Sequence, residues 1–138
     1  MAISAAICTS YKQEVMQGVH ESADTYKIAL YASAATLGAS TTAYTATNEV
    51  SGTGYTAGGA TLSGFSVTVD GTTAVLDFTD PTWTNSTITA RGALIYNSTQ
   101  GNKAVAVLDF GADISSTNDT FTVTFPAATA AAGLVRIG

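Results

Sequence analysis

The sequence predicts an all-β domain, a single β-sandwich of seven or eight strands carrying one short N-terminal α-helix. Three observations predict it. From residue 24 onward the apolar residues recur with a period of two. Glycine, asparagine and aspartate turn signals separate the alternating runs. Only residues 10–20 carry a helical period. Short strands with frequent turns suit either a jelly-roll or an immunoglobulin-like sandwich, and the sequence does not choose between them.

The elements follow in order, dividing the chain into an N-terminal helical segment, residues 1–23, and a sandwich domain, residues 24–138. In "SYKQEVMQGVH", Tyr11, Val15 and Val19 share one helical face with Met16 beside them, which predicts about three turns. Ser10 and Gln13 have the spacing of a capping box, and Gly18 weakens the last turn. In "TYKIALY", Tyr26, Ile28 and Leu30 alternate. Phe65, Val67 and Val69 do the same in "FSVTV", as do Ala74, Leu76 and Phe78 in "AVLDF", and both sets are expected to face the core. Asp70-Gly71 between those two runs predicts a hairpin. Further strands are expected at residues 86–96, 103–110, 121–125 and 133–137. Residues 32–64 have no clear period and predict loops around one short strand at "YTATNEV". "AVLDF" recurs at 106–110, which two equivalent strands explain more simply than duplication.

Composition narrows the function. Of 138 residues only 11% are charged, against about 25% in an ordinary domain. Thr, Ser, Gly, Ala and Asn take their place, so another protein can cover this surface without desolvating many ions. The net charge of -5 and the scattered Lys12, Lys27, Arg91, Lys103 and Arg136 argue against direct nucleic-acid binding. No apolar run reaches the roughly 18 residues of a membrane helix. The first residues lack the positive region of a secretory signal, so a soluble protein made in the cytoplasm is expected. Cys8, the single cysteine, has no internal partner and is expected to be a plain apolar residue.

Residue patterns that could carry chemistry are weak. "GTGYTA", residues 52–57, matches a dinucleotide fingerprint, but "GGATLSGF" cannot open the helix that motif requires. A glycine-rich surface loop is expected there, and no cofactor. His20 has no nucleophile elbow to serve and is expected to cap the helix end. One His and one Cys exclude the usual zinc sites. Asp70, Asp77, Asp80, Asp109, Asp113 and Asp119 do not form a calcium-loop pattern and read as solvated turn carboxylates. The sequons at Asn85, Asn97 and Asn118 read as chance matches. No catalytic, cofactor or metal residue is assigned, and the chain is not expected to be an enzyme.

The segment "DPTWTNSTITARGALIYN" holds the only tryptophan and an arginine inside an apolar strand. Ile88, Ala90, Gly92, Leu94 and Tyr96 form a core face. Thr89, Arg91, Ala93 and Ile95 form a mixed face, too apolar for solvent and too charged for core. Trp83 can plug one end of the sandwich. Core packing with an intrachain Arg91 pair explains the pattern, and so does a partner-covered face, since Trp and Arg are enriched in interfaces.

Taken together, "YKIALY", "GTGYTAGG", "WTNSTITARGALIY" and "LDFG" resemble a family of small structural proteins of tailed bacteriophages, over the chain from about Asp24 to the C-terminus. The resemblance implies a virion component, assembled in the host cytoplasm. The favoured expectation is a head decoration or cement protein, used in many copies and homo-oligomeric, bridging major capsid subunits or other virion proteins. The candidate interface residues are Tyr11, Val15, Val19, Tyr55, Trp83, Arg91 and Ile95, with the N-terminal segment around Cys8 as one anchor and loop 51–64 as a second. The alternative is a tail, neck or fibre component, a host-recognition adhesin in which Tyr44 and Tyr55 would meet glycans. A small hydrolase, the third reading, lacks an assembled site.

Overall fold

Alternation in Tyr26–Tyr31 becomes strand β2, and its two faces organise the molecule. The computed structural model describes residues 2–129 and 131–137. Two antiparallel sheets form an open sandwich with one short helix, and the barrel is not closed. The larger sheet contains β1 (Ala6–Ile7), β7 (Lys103–Thr122), β6 (Thr82–Asn97), β2 and β3 (Ala60–Thr61), in that spatial order. The smaller contains β4 (Ser66–Asp70), β5 (Thr73–Asp77) and β8 (Val135–Ile137), in that order. Helix α1 is Thr9–Met16.

Directly paired residues share a face of a sheet. Tyr26, Ile28 and Leu30 pair with Asn97, Ile95 and Ala93, and this face meets α1 and the small sheet. The rings of Phe65 and Phe78 pack on Tyr26 at centroid distances of 5.4 and 5.5 Å. Lys27, Ala29 and Tyr31 pair with Tyr96, Leu94 and Gly92 on the opposite face. Residues of the long loop cover that side. Tyr44 stacks on Tyr96 at 4.8 Å, and the Tyr31 hydroxyl donates to the Thr45 carbonyl at 2.6 Å. The central sheet therefore lies between a loop layer and a layer made of the helix and the small sheet.

That double cover corrects the reading of β6. Ala93 and Ile95 are fully buried, so Ile95 belongs to the core and is not an interface residue. A period-two analysis assigns one face to solvent, but here both faces of the strand's second half are covered. Trp83 is buried as expected, with Tyr55 and Phe121 each 6.1 Å away between ring centroids.

The helix is shorter than its apolar period suggests. Gly18 takes φ +74°, and the Val19 and Gly18 amides bond the carbonyls of Glu14 and Val15 at 3.0 and 3.2 Å. This is a Schellman ending, which only a residue tolerant of positive φ closes cheaply. Val19 thus lies beyond the helix. The capping box does not form: Cys8 is the N-cap and makes no side-chain cap bond, and the Ser10 hydroxyl is buried without a partner.

Two expected strands, 103–110 and 121–125, are joined in the 20-residue β7, which ends at Thr122. The polar run between them shows no apolar period because it lies at an open edge and is held by backbone pairing to β6. Register shifts break that ladder near Asn85, Gly111 and Asn118, all at positive φ, as in β-bulges. No strand forms at "YTATNEV", which has a single bridge at Glu49, with another at Ala43 just before it. The Asp70-Gly71 hairpin forms as expected, with Asp70 paired to Thr73 and Gly71 at φ +64°. Its first strand departs from expectation, since all five residues of β4 are exposed, Val67 at 57% and Val69 at 73%.

Candidate functional site

Three arrangements could carry function. The first is built around Glu49, in the loop layer. Its Oε1 accepts from the Tyr44 hydroxyl at 2.6 Å. Its Oε2 accepts from the Tyr55 hydroxyl at 2.6 Å and from the Gly58 amide at 2.8 Å. Tyr55 in turn accepts the Leu30 amide of β2 at 2.9 Å. Burial, and then the bond to Glu49, push the Tyr44 hydroxyl up to about 12 and that of Tyr55 further in the same direction. Neutral phenols donating to one carboxylate fasten the loop to the sheet. They offer no vacant donor pointing at a substrate.

The second arrangement joins the segment after α1 to the β6–β7 turn. Asn97, wholly buried, accepts the Thr99 and Gln100 amides at its Oδ1, at 3.1 and 3.3 Å. That fixes the amide orientation, so its Nδ2 donates to Asp24 at 2.8 Å and to His20 Nδ1 at 3.0 Å. His20 must then carry its proton on Nε2, which meets Glu14 at 2.9 Å. Asn97 first, with the Glu21 amide and Gln100 adding to it, holds the Asp24 carboxyl below its ordinary range. Both ring nitrogens of His20 are occupied, and its ring packs against Tyr11 at 4.7 Å. It is a buried connector four residues past the helix end, which corrects the expected helix cap. Burial also rules out a glycan at Asn97 of the native fold.

The third is apolar. A groove of about 260 Å³ runs between α1 and the small sheet, lined by Tyr11, Val15, Val67, Ala74, Leu76 and Ile137 among others. A neighbouring groove of about 330 Å³ shares Tyr11, Val15 and Ile137 and continues along the helix past Met16, with Lys12 and Arg136 at its rim. Met16 is 90% exposed, and Ile137, Val67 and Val69 are exposed beside it. Together they make a continuous strip of uncovered apolar surface, the kind that marks an interaction site.

The expected interface residues divide accordingly. Val15 lines the strip, while Val19, past the helix end, is half-buried. Tyr11 is buried and forms the floor of the grooves, so its own domain covers most of it. Cys8 is fully buried, which removes it from the anchor. Tyr55 and Trp83 pack together on the loop side. Arg91 pairs within the chain through Nε to Asp109 at 3.2 Å, at a partly exposed site. Asp109 is held below its ordinary range first by the Gly111 amide and then by Arg91. Three of the other turn carboxylates bind backbone: Asp77 accepts from Phe78, Asp80 from Phe125 and Asp119 from Thr120. Among the described residues no three His, Cys, Asp or Glu side chains gather as metal ligands.

Sequence reasoning missed Glu49 and Asn97. The clue to Glu49 was a lone acid flanked by Tyr44 and Tyr55 in an unpatterned loop. Asn97 left no local clue, since its partner His20 is 77 positions away. Among the described residues, no helix is long and apolar enough to cross a membrane. No family model matches the chain, and no curated protein or solved structure is similar to it.

Proposed function

We propose that the chain is a structural protein of a tailed-bacteriophage virion, a capsid decoration protein that docks through α1 and the adjoining apolar strip. The uncovered strip carries this reading: Val15, Met16 and Ile137 form a continuous apolar patch beside Lys12 and Arg136. A partner surface offering apolar side chains and a carboxylate for Lys12 would complement it. The low charge of the chain points the same way. Each contact is modest, and repetition over a lattice would add affinity through avidity. The adhesin alternative loses support, because the Tyr44 and Tyr55 hydroxyls that would meet glycans are both engaged by Glu49.

The test is co-sedimentation of the purified chain with capsid shells lacking it, followed by cryo-electron microscopy. Density over the whole shell, contacting α1, is the expected result, together with loss of binding in Met16→Glu. Density confined to the portal vertex or tail, or undiminished binding by Met16→Glu, would overturn the proposal.

A further inference from the structure

From the geometry of the small sheet we infer that β4 is a self-pairing edge, and that its occupant is a second copy of this chain. The inference stands apart from the virion reading. β5 uses only one side of β4. In a two-residue hairpin the closing pair exchanges both backbone hydrogen bonds, so Asp70, Thr68 and Ser66 point their amides and carbonyls inward to Thr73, Val75 and Asp77. Those of Val67 and Val69 point outward, at an edge that no other strand among the described residues joins.

Edge strands are normally protected by lysine, proline, bulges or shortness. The open edge of β7 carries such devices: irregularities at Gly111 and Asn118 and the acids Asp109, Asp113 and Asp119. β1, β3 and β8 are only two or three residues long. β4 runs five residues in unbroken register and has neither lysine nor proline. Its sequence, Ser-Val-Thr-Val-Asp, is complementary to itself. A two-fold axis through Thr68 sets Val67 opposite the second copy's Val69, and Ser66 opposite its Asp70. The two copies' Asp70 carboxylates fall at opposite ends, so no like charges meet. Val67 and Val69 would exchange four backbone hydrogen bonds with their counterparts. The result is one six-stranded sheet with its apolar face continuous across the join. The joined strands alone bury far less than the roughly 1,200 Å² of a stable interface, so the dimer is weak in solution.

Covalent trapping suits a weak pair. Thr68 would face its counterpart as a non-hydrogen-bonded pair, with Cα atoms about 4.5 Å apart, within disulfide range. Under mild oxidation Thr68→Cys is expected to give a disulfide dimer, while Ser66→Cys and Asp70→Cys stay monomeric. Adding Val67→Lys and Val69→Lys should abolish the cross-link. These are exposed positions, and circular dichroism confirms that each variant is folded. Equal cross-linking at all three positions would mean random collision and would overturn the inference. So would a folded Thr68→Cys chain that stays monomeric, including one that instead captures a strand of another protein at β4.

Discussion

Replacing Glu49 with alanine is the sharpest test of the loop layer. The carboxylate accepts three hydrogen bonds, from Tyr44, Tyr55 and Gly58. A hydrogen bond to a charged group contributes about 1.5–3 kcal/mol. Gly58 is half-buried and its amide can turn to water, so we leave it out. Counting the two phenol bonds at the low end gives about 3 kcal/mol. In a domain whose whole stability is about 5–15 kcal/mol that is a large loss, and it should lower Tm by about 10 °C. Urea unfolding followed by Trp83 emission measures it, since Trp83 packs on Tyr55 and reports loosening of the loop as a red shift. Amide exchange should rise across residues 44–58 and stay unchanged in the β4–β5 hairpin. Glu49→Gln keeps one acceptor oxygen and should fall between. A loss of about 0.5 kcal/mol or less, the range of ordinary surface substitutions, would refute the reasoning. So would an unchanged exchange pattern in the loop.

Other perturbations address the remaining contacts. Asn97→Ala strands His20 Nδ1 and frees two turn amides, so it should cost about 2–4 kcal/mol. It should also return the Asp24 titration, followed by NMR, toward the ordinary aspartate range. Gly59→Ala should cost at least about 2 kcal/mol, because φ is +83° there and a Cβ would stand 1.8 Å from the Ile28 carbonyl oxygen. The Cys8 thiol, pushed up to about 11 by burial and by Glu14, should resist alkylation in native buffer and react once urea unfolds the chain. Alkali should destabilise the protein. Tyr44 loses its proton at about 12 in the fold but near 10 when unfolded, and Tyr26, Tyr31 and Tyr55 are also shifted upward. The folded state holds these protons more tightly, so their contribution is complete below pH 10 and is lost as pH rises toward 12. Tyrosinate absorbance and circular dichroism should therefore change together in that window.

The strands legible in the sequence were those whose apolar residues recur with a period of two or that flank a clear turn signal. β2, β5 and the Gly71 hairpin are such cases. β4 has the same alternation, yet Val67 and Val69 lie uncovered, because period records which residues share a face and not whether anything packs on it. Ile95 failed in the opposite sense: its strand is covered on both sides, and alternation then carries no information. The polar middle of β7 has no apolar signal because backbone bonds to β6 define it. The burial of Trp83 and an intrachain partner for Arg91 were readable as one of two alternatives, since a tryptophan after a proline and an arginine amid small apolar residues each need a partner; that the partner is Asp109 was not. Glu49 and Asn97 act through contacts that only the folded chain brings together.

The two faces of the central sheet are closed by different means, and that difference bears on function. On the loop side, Glu49 and the tyrosines supply hydrogen bonds, and Tyr44 stacks on Tyr96 while Tyr55 packs tilted against Trp83. Little apolar surface is left for a partner. On the helix side closure is incomplete. α1 spans two turns and ends at Met16, and Val67, Val69 and Ile137 of the small sheet stay exposed while Leu76 and Val135 are buried. A helix extended to residue 20 would have carried Val19 over part of that gap. Instead the chain turns back at Gly18, and the Glu14–His20–Asn97 connection ties it down on the sheet. The apolar strip is thus left open by the same contacts that end the helix. Lengthening the helix by replacing Gly18 with alanine would strain a residue at φ +74° and disturb the His20 connection, so exposure of the strip is coupled to the stability of the fold.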